Sequence, residues 1–144
     1  MALAFGITVV GCDNGSTSYT ANTDPKAITI TGLTCRSGNV EIILGDIVNN
    51  DDKLIANGQG TISNNFVTVS LKNNDSSDWT GTGSYMIQLK FASSQSYWFT
   101  NGKTWVELGI TASASEGEVF RKLPKYGITS AASTIAFDQF KEQP

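Results

Sequence analysis

At 144 residues the chain is long enough for one domain with its own core, and its 40% hydrophobic and 16% charged composition is that of a globular protein short of charge. A net charge of −3, with Arg121, Lys122 and Lys125 the densest basic group, argues against nucleic acid as a partner. Histidine is absent, which removes the commonest general base, the usual catalytic triads and most zinc sites.

Residues 1–11 are apolar and small apart from Thr8, and the run closes on Val9-Val10-Gly11-Cys12. Such a run is too short to cross a bilayer but has the length of a signal-peptide core. The closing tetrapeptide resembles the bacterial lipobox. That resemblance implies cleavage before Cys12 and attachment of diacylglycerol, and of acyl chains such as palmitate, at Cys12. No Lys or Arg precedes the run, which departs from the usual signal peptide. A first strand over Ile7–Val10 is the competing reading. Residues 12–25 are small and polar, a tether whose reach as a coil is about 20 Å. The folded domain is then 26–144. With Cys12 assigned to lipid, no disulfide to Cys35 is expected, and Cys35 reads as a small buried residue.

Along the domain, period-two alternation predicts strands over 27–33, 39–45, 54–62, 66–71, 82–91, 97–100 and 133–138. The clearest is 82–91, with Tyr85, Ile87, Leu89 and Phe91 on one face and Met86, Gln88 and Lys90 on the other. Gly58 and Gly60 suggest a bulge, and Asn64-Asn65 a two-residue hairpin turn. The expected core includes Ile30, Ile42, Val69, Ile87, Leu89 and Ile135. About seven short strands define an all-β, antiparallel, immunoglobulin-like β-sandwich.

Residues 101–132 break the pattern. Leu108–Ser115 (LGITASAS) is echoed by Tyr126–Ser133 (YGITSAAS). Capping-box pairs Thr104/Glu107 and Ser115/Glu118 precede the two copies, predicting short helical segments, each ending at a glycine and the second also stopped by Pro124. Val119, Phe120, Leu123 and Ile128 would plug one end of the sandwich. In Tyr97-Trp98-Phe99 neighbouring rings must point to opposite faces, so at least one leaves the core, preferably to lie under this crossover.

The segments GCDNG (11–15), GTGSYMIQLKF (81–91), YWFTNGK (97–103), LPKYGIT (123–129) and STIAFDQF (133–140) together resemble small lipoproteins of spirochaetes, of the treponeme type. The resemblance implies a lipid-anchored protein of the cell envelope and assigns no activity.

If consecutive strands alternate in direction, loops 46–53, 72–81 and 101–132 share one pole. That pole gathers Asp46, Asp51, Asp52, Asp75, Asp78, Glu107, Glu116 and Glu118 with Trp79 and Trp105. Arg36 dominates the other. Three readings compete for the acidic pole. Calcium would use Asp and Asn oxygens from NNDD (49–52) and NNDSSD (73–78), neither in EF-hand spacing. A glycan would use Trp79 or Trp105 as platform, with Asp51, Asp52, Asp75 and Asp78 taking hydroxyls. Solvated turns beside core aromatics are the simplest account. With no His and no nucleophile elbow the chain reads as a non-enzymatic, membrane-anchored binding or surface-structural domain, the alternative being a carbohydrate-binding module or adhesin. The tether leaves beside this pole, which favours small or membrane-proximal ligands over large proteins.

Overall fold

The computed structural model describes residues 24–48 and 51–143; Cys12, its signal run and most of the tether lie outside the described residues. The strands are β1 (Ala27–Thr31), β2 (Asn39–Val48), β3 (Asp51–Thr61), β4 (Val67–Ser70), β5 (Gly83–Phe91), β6 (Ser96–Phe99), β7 (Tyr126–Ile128), β8 (Ala132–Ala136) and β9 (Phe140–Glu142), with one helix, α1 (Glu116–Lys122), between β6 and β7. They form a three-stranded sheet in the order β4-β1-β8 and a six-stranded sheet in the order β3-β2-β5-β6-β9, with β7 on the first half of β5. The two sheets close on one core, so the expected all-β, two-sheet architecture is the one observed.

The alternation that predicted the strands is what fills this core. Ile28 and Ile30 of β1, Val67 and Val69 of β4 and Ile135 of β8 meet Ile42, Leu44, Ile87, Leu89 and Phe99 from the larger sheet. All six predicted core residues are buried. Removing one such aliphatic side chain from water is worth about 1.5–3 kcal/mol. Pairing is antiparallel throughout except between β1 and β8, which run parallel.

Among the described residues there are nine strands where seven were expected. β7 and β9 have three residues each, too few to show a period. The anticipated loop 46–53 lies largely within the long β2–β3 hairpin, where Ile47 pairs with Asp52. The bulge falls at Ile55, skipped between the pairs Leu44–Ala56 and Gly45–Leu54. Gly58 and Gly60 serve a different purpose: β4 crosses over them so closely that a Cβ on Gly58 would sit 2.1 Å from the Ser70 carbonyl oxygen. Asn64 and Asn65, both at positive φ (55° and 69°), make the predicted tight turn. It carries the chain from the larger sheet to the smaller.

Cys35 is exposed rather than buried. Its loop winds through positive φ at Gly32, Cys35 and Gly38, and Arg36 takes the inward position instead. The Arg36 guanidinium lies 4.5, 5.1 and 4.9 Å from the ring centres of Phe91, Tyr97 and Phe137. It also donates to Gln95 Oε1 and Tyr97 Oη, closing this pole. At the other pole the chain enters the domain beside Trp79: the Lys26 N–H donates to the Trp79 carbonyl, and the buried Lys26 ammonium to the carbonyls of Asp24 and Thr80.

Candidate functional site

The 101–125 segment forms a third layer. It does not plug an end of the sandwich; it lies on the outer face of the six-stranded sheet. Met86 and Trp98, the outward-facing residues of β5 and β6, are buried beneath Phe120 and Leu123, with Val119, Leu108, Trp105 and Ile47 packed around them. Trp98 is thus the ring that points away from the main core and lies under the crossover, while Tyr97 and Phe99 face inward. Ile128, the fourth anticipated plug residue, belongs to the main core.

Local chemistry folds this cover. The Thr104 N–H donates to Glu107 Oε1 and the Glu107 N–H to Thr104 Oγ1, a reciprocal capping box over a single helical turn that ends at Gly109, φ 73°. Those contacts, the backbone N–H first, hold the Glu107 carboxyl below its ordinary pKa. Ser115 caps α1 by accepting from the Glu118 N–H, whereas the Glu118 carboxylate turns to Lys122 instead of reciprocating. Glu116 and Glu118 in the first turn and Arg121 and Lys122 in the last suit the helix dipole. The helix stops at Leu123, already extended ahead of Pro124, rather than at a glycine; Gly127 lies within β7.

Two contacts pin the cover to the sheet, through Trp105 and Lys125, and one, through Lys122, ties it internally. Trp105 Nε1 donates to the Glu142 carbonyl on β9 at 2.7 Å. Lys122 Nζ donates to the Gly109 carbonyl at 2.7 Å. Lys125 meets Asp46 of β2 at 2.6 Å. The hydrogen bond from Lys125, ahead of opposing desolvation, holds the Asp46 carboxyl below its ordinary value of 3.8. Burial, and then the Asp46 charge, pushes the Tyr85 hydroxyl up.

The cover leaves part of the sheet face open. On one side of Phe120 is a cleft of about 350 Å³ floored by Ile43, Gly45, Met86 and Trp98, with Lys53, Gln88 and Lys90 on its rim. On the other is a cleft of about 300 Å³ bounded by Thr111, Ala112, Ala114 and Val119. The two share Trp98, Glu116, Phe120 and Gln143. A small recess at Ile47, Asp52 and Arg121 adjoins them. The Trp98 and Phe120 rings lie 5.4 Å apart and inclined by 59°, and Trp98 Nε1 is held by Gln143 Oε1 at 3.0 Å. An aromatic and thioether floor is therefore ringed by two ammonium groups, two carboxylates and two amides.

The residues singled out in the sequence are not brought together. Trp79, 7% exposed, is buried in the main core edge-on to Tyr85, so its face is not available as a platform. Trp105 lies on the opposite side of the sheet, half-buried against the second cluster. Asp75 accepts from the Ser77 hydroxyl and, second, the Ser77 N–H within its own turn, which keeps its carboxyl below the ordinary range, and Asp78 pairs with Lys72. Asp51 and Asp52 are exposed on β3; of the four, only Asp52 borders the cleft. Among the described residues no group of three or more His, Cys, Asp or Glu is placed to hold a metal ion.

Sequence reasoning placed Glu116 among the acids of one pole and Gln88 and Lys90 on the outward face of 82–91, and passed over Lys53 and Gln143. The signal that led toward them was the Tyr97-Trp98-Phe99 triplet beside an overlong crossover. No known protein family matches the chain, and no curated protein or solved structure does either.

Proposed function

We propose that the chain is a lipid-anchored protein of the bacterial envelope, of the spirochaete lipoprotein type. In this reading Cys12 ties it to the membrane, and the cleft on the six-stranded sheet binds a small polyhydroxylated ligand, a glycan or glycan fragment, without chemical turnover. The observation that carries the binding role is the cleft itself. The longest insertion in the fold is pinned onto a sheet face and still leaves an aromatic floor ringed by donors and acceptors. Carbohydrate suits that lining, because C–H faces pack on rings while amides and charges take hydroxyls. Asp46 and Glu118, just outside the cleft, hold Lys125 and Lys122, while the two carboxylates that line it, Asp52 and Glu116, are left to take hydroxyls. The chain enters the domain at the Trp79 pole. A tether of about 20 Å would hold that pole toward the bilayer, so small or membrane-proximal ligands are favoured over large partners.

The test is calorimetric titration of the full chain with N-acetylglucosamine oligomers. Binding that falls at least about tenfold in Gln88→Ala and Glu116→Ala, and is unchanged in Asp75→Ala, supports the site. Binding insensitive to all three places the ligand elsewhere. The anchor is tested by labelling cells with a palmitate analogue: wild type should label and Cys12→Ala should not, the variant moving to the soluble fraction. Equal labelling would exclude Cys12 as the lipid site.

A further inference from the structure

We infer, resting on the glycan reading above, that the cleft on the six-stranded sheet selects acidic oligosaccharides, glycans that carry carboxylates, over neutral ones. The two lysines on its rim stand where the strand register should neutralise them. Lys90 of β5 lies opposite Glu41 of β2, and Lys53 of β3 lies opposite Asp46 of β2. Opposite charges placed across a strand pair attract. Here both acids are engaged elsewhere. Glu41 is drawn to β3, where it accepts from Asn57 Nδ2 at 3.1 Å, and Asp46 is taken by Lys125 at 2.6 Å. Among the described residues neither Lys53 nor Lys90 is left with an ion pair.

The carboxylates of the cleft lie at its other end. Asp52 and Glu116 share with Arg121 the small recess at Ile47, so a guanidinium already stands beside them. Ile47 and Glu41 are six residues apart on β2, about 20 Å of strand, which separates that recess from Lys90. The Lys90 end holds donors. Gln88 precedes it on the same outward face, and Gln143 reaches it because the Gln143 N–H donates to the carbonyl of Ser96, the strand partner of Lys90. Gln143 gives its side-chain oxygen to Trp98, which leaves its amide NH₂ to donate. Counting both ends, Lys53, Lys90 and Arg121 face Asp52 and Glu116. A chain whose net charge is −3 thus gathers an excess of positive charge around this cleft.

That division suits a sugar acid. A uronate carries its carboxylate at the edge of the ring, so the C–H face can rest on the Met86 and Trp98 floor while the carboxylate meets the Lys90 ammonium and the amides of Gln88 and Gln143. The hydroxyls of the next sugar then fall to Asp52 and Glu116, which accept them whatever the charge of the ligand. A neutral glycan fills the second half equally well and leaves Lys90 without an anion.

The experiment is calorimetric titration of the full chain with two tetrasaccharides of equal length, one alternating glucuronate with N-acetylglucosamine and one of N-acetylglucosamine alone. The acidic tetrasaccharide should bind at least about tenfold tighter at low salt. Raising the ionic strength to about 0.5 M should shrink that preference while the neutral affinity holds. Lys90→Gln should weaken the acidic ligand about tenfold and the neutral one less than about twofold, and Lys90→Arg, which keeps the charge, should keep the preference. The Lys90 side chain is exposed and in no ion pair among the described residues, so these substitutions leave the fold intact. Equal binding of the two tetrasaccharides, or a preference unmoved by Lys90→Gln, would overturn the selection for acid and leave the glycan reading standing. A chain that binds neither overturns both.

Discussion

The outer faces of the two sheets have been treated in opposite ways. The six-stranded sheet presents Met86 and Trp98 outward and hides them under a layer built from 101–125. The three-stranded sheet presents Thr29, Thr68, Ser70, Thr134 and Ala136 and is left bare, with a hydrogen bond between the Thr29 and Thr68 hydroxyls added to its backbone ladders. The difference follows from side-chain chemistry. Two large apolar groups on an outward face need burial, whereas short hydroxyl and methyl groups do not. Covering the first face created a cleft.

β5 lies where the main core and the second layer meet, so neighbouring residues on it report on different layers. Ile87→Ala empties space in the main core and should cost about 2–5 kcal/mol of global stability. Gln88→Ala, facing the cleft, should cost under about 0.5 kcal/mol. Chemical denaturation of both variants checks this, and similar midpoints would mean that the two faces are not distinct. Phe120→Ala should act between these limits and chiefly on the cover. Amides of 105–123 should lose hydrogen-exchange protection by about tenfold or more while those of β1 and β4 keep theirs. Uniform loss across the molecule would show that cover and sandwich unfold as one unit.

The smallest expected effect is electrostatic. Lys125 holds the Asp46 carboxyl below its ordinary pKa in the folded chain, so the pair contributes stability above the unfolded-state value, near 3.8, and loses it as pH falls through the folded-state value. Both partners are partly exposed, which limits the contribution to under about 1 kcal/mol. Comparing wild type and Asp46→Asn by thermal melting, the difference should be present at pH 6 and shrink as pH falls below 3.8 through the lowered folded-state value. A difference that grows on acidification would contradict this role for the pair.

How much of this was legible in the sequence depended on length and on sidedness. β5 was readable because nine residues alternate against a one-sided core, and Asn64-Asn65 because few residues tolerate consecutive positive φ. Only the tip of the β2–β3 hairpin, 46–53, reads as a loop, because Asp46, Asp51 and Asp52 are turn formers, although two of them protect an edge. The echoed octapeptide shows where local pattern stops deciding. Ile110 and Ile128 are both buried, yet Gly109 closes a capped turn at φ 73° while Gly127 pairs with Ser84 in a strand. Tertiary pairing with β5 separates the two copies. Chain order put Trp79 and Trp105 at one pole, but the two lie on opposite faces of the six-stranded sheet, and Trp105 bonds to Glu142, whose strand partner Tyr97 is held by Arg36.

The claim that matters most is that ligand binds on the outer face of the six-stranded sheet. The three tryptophan side chains sample three environments: Trp98 beneath the cleft, Trp105 at the edge of its cover and Trp79 in the main core. Each gives its own indole N–H resonance. Titrating the full chain with an N-acetylglucosamine oligomer should shift the Trp98 signal most, since ligand contact would disturb its hydrogen bond to Gln143, should shift Trp105 less, and should leave Trp79 in place. Saturable binding that moves Trp79 and leaves Trp98 unmoved would contradict the account and return the site to the acidic pole.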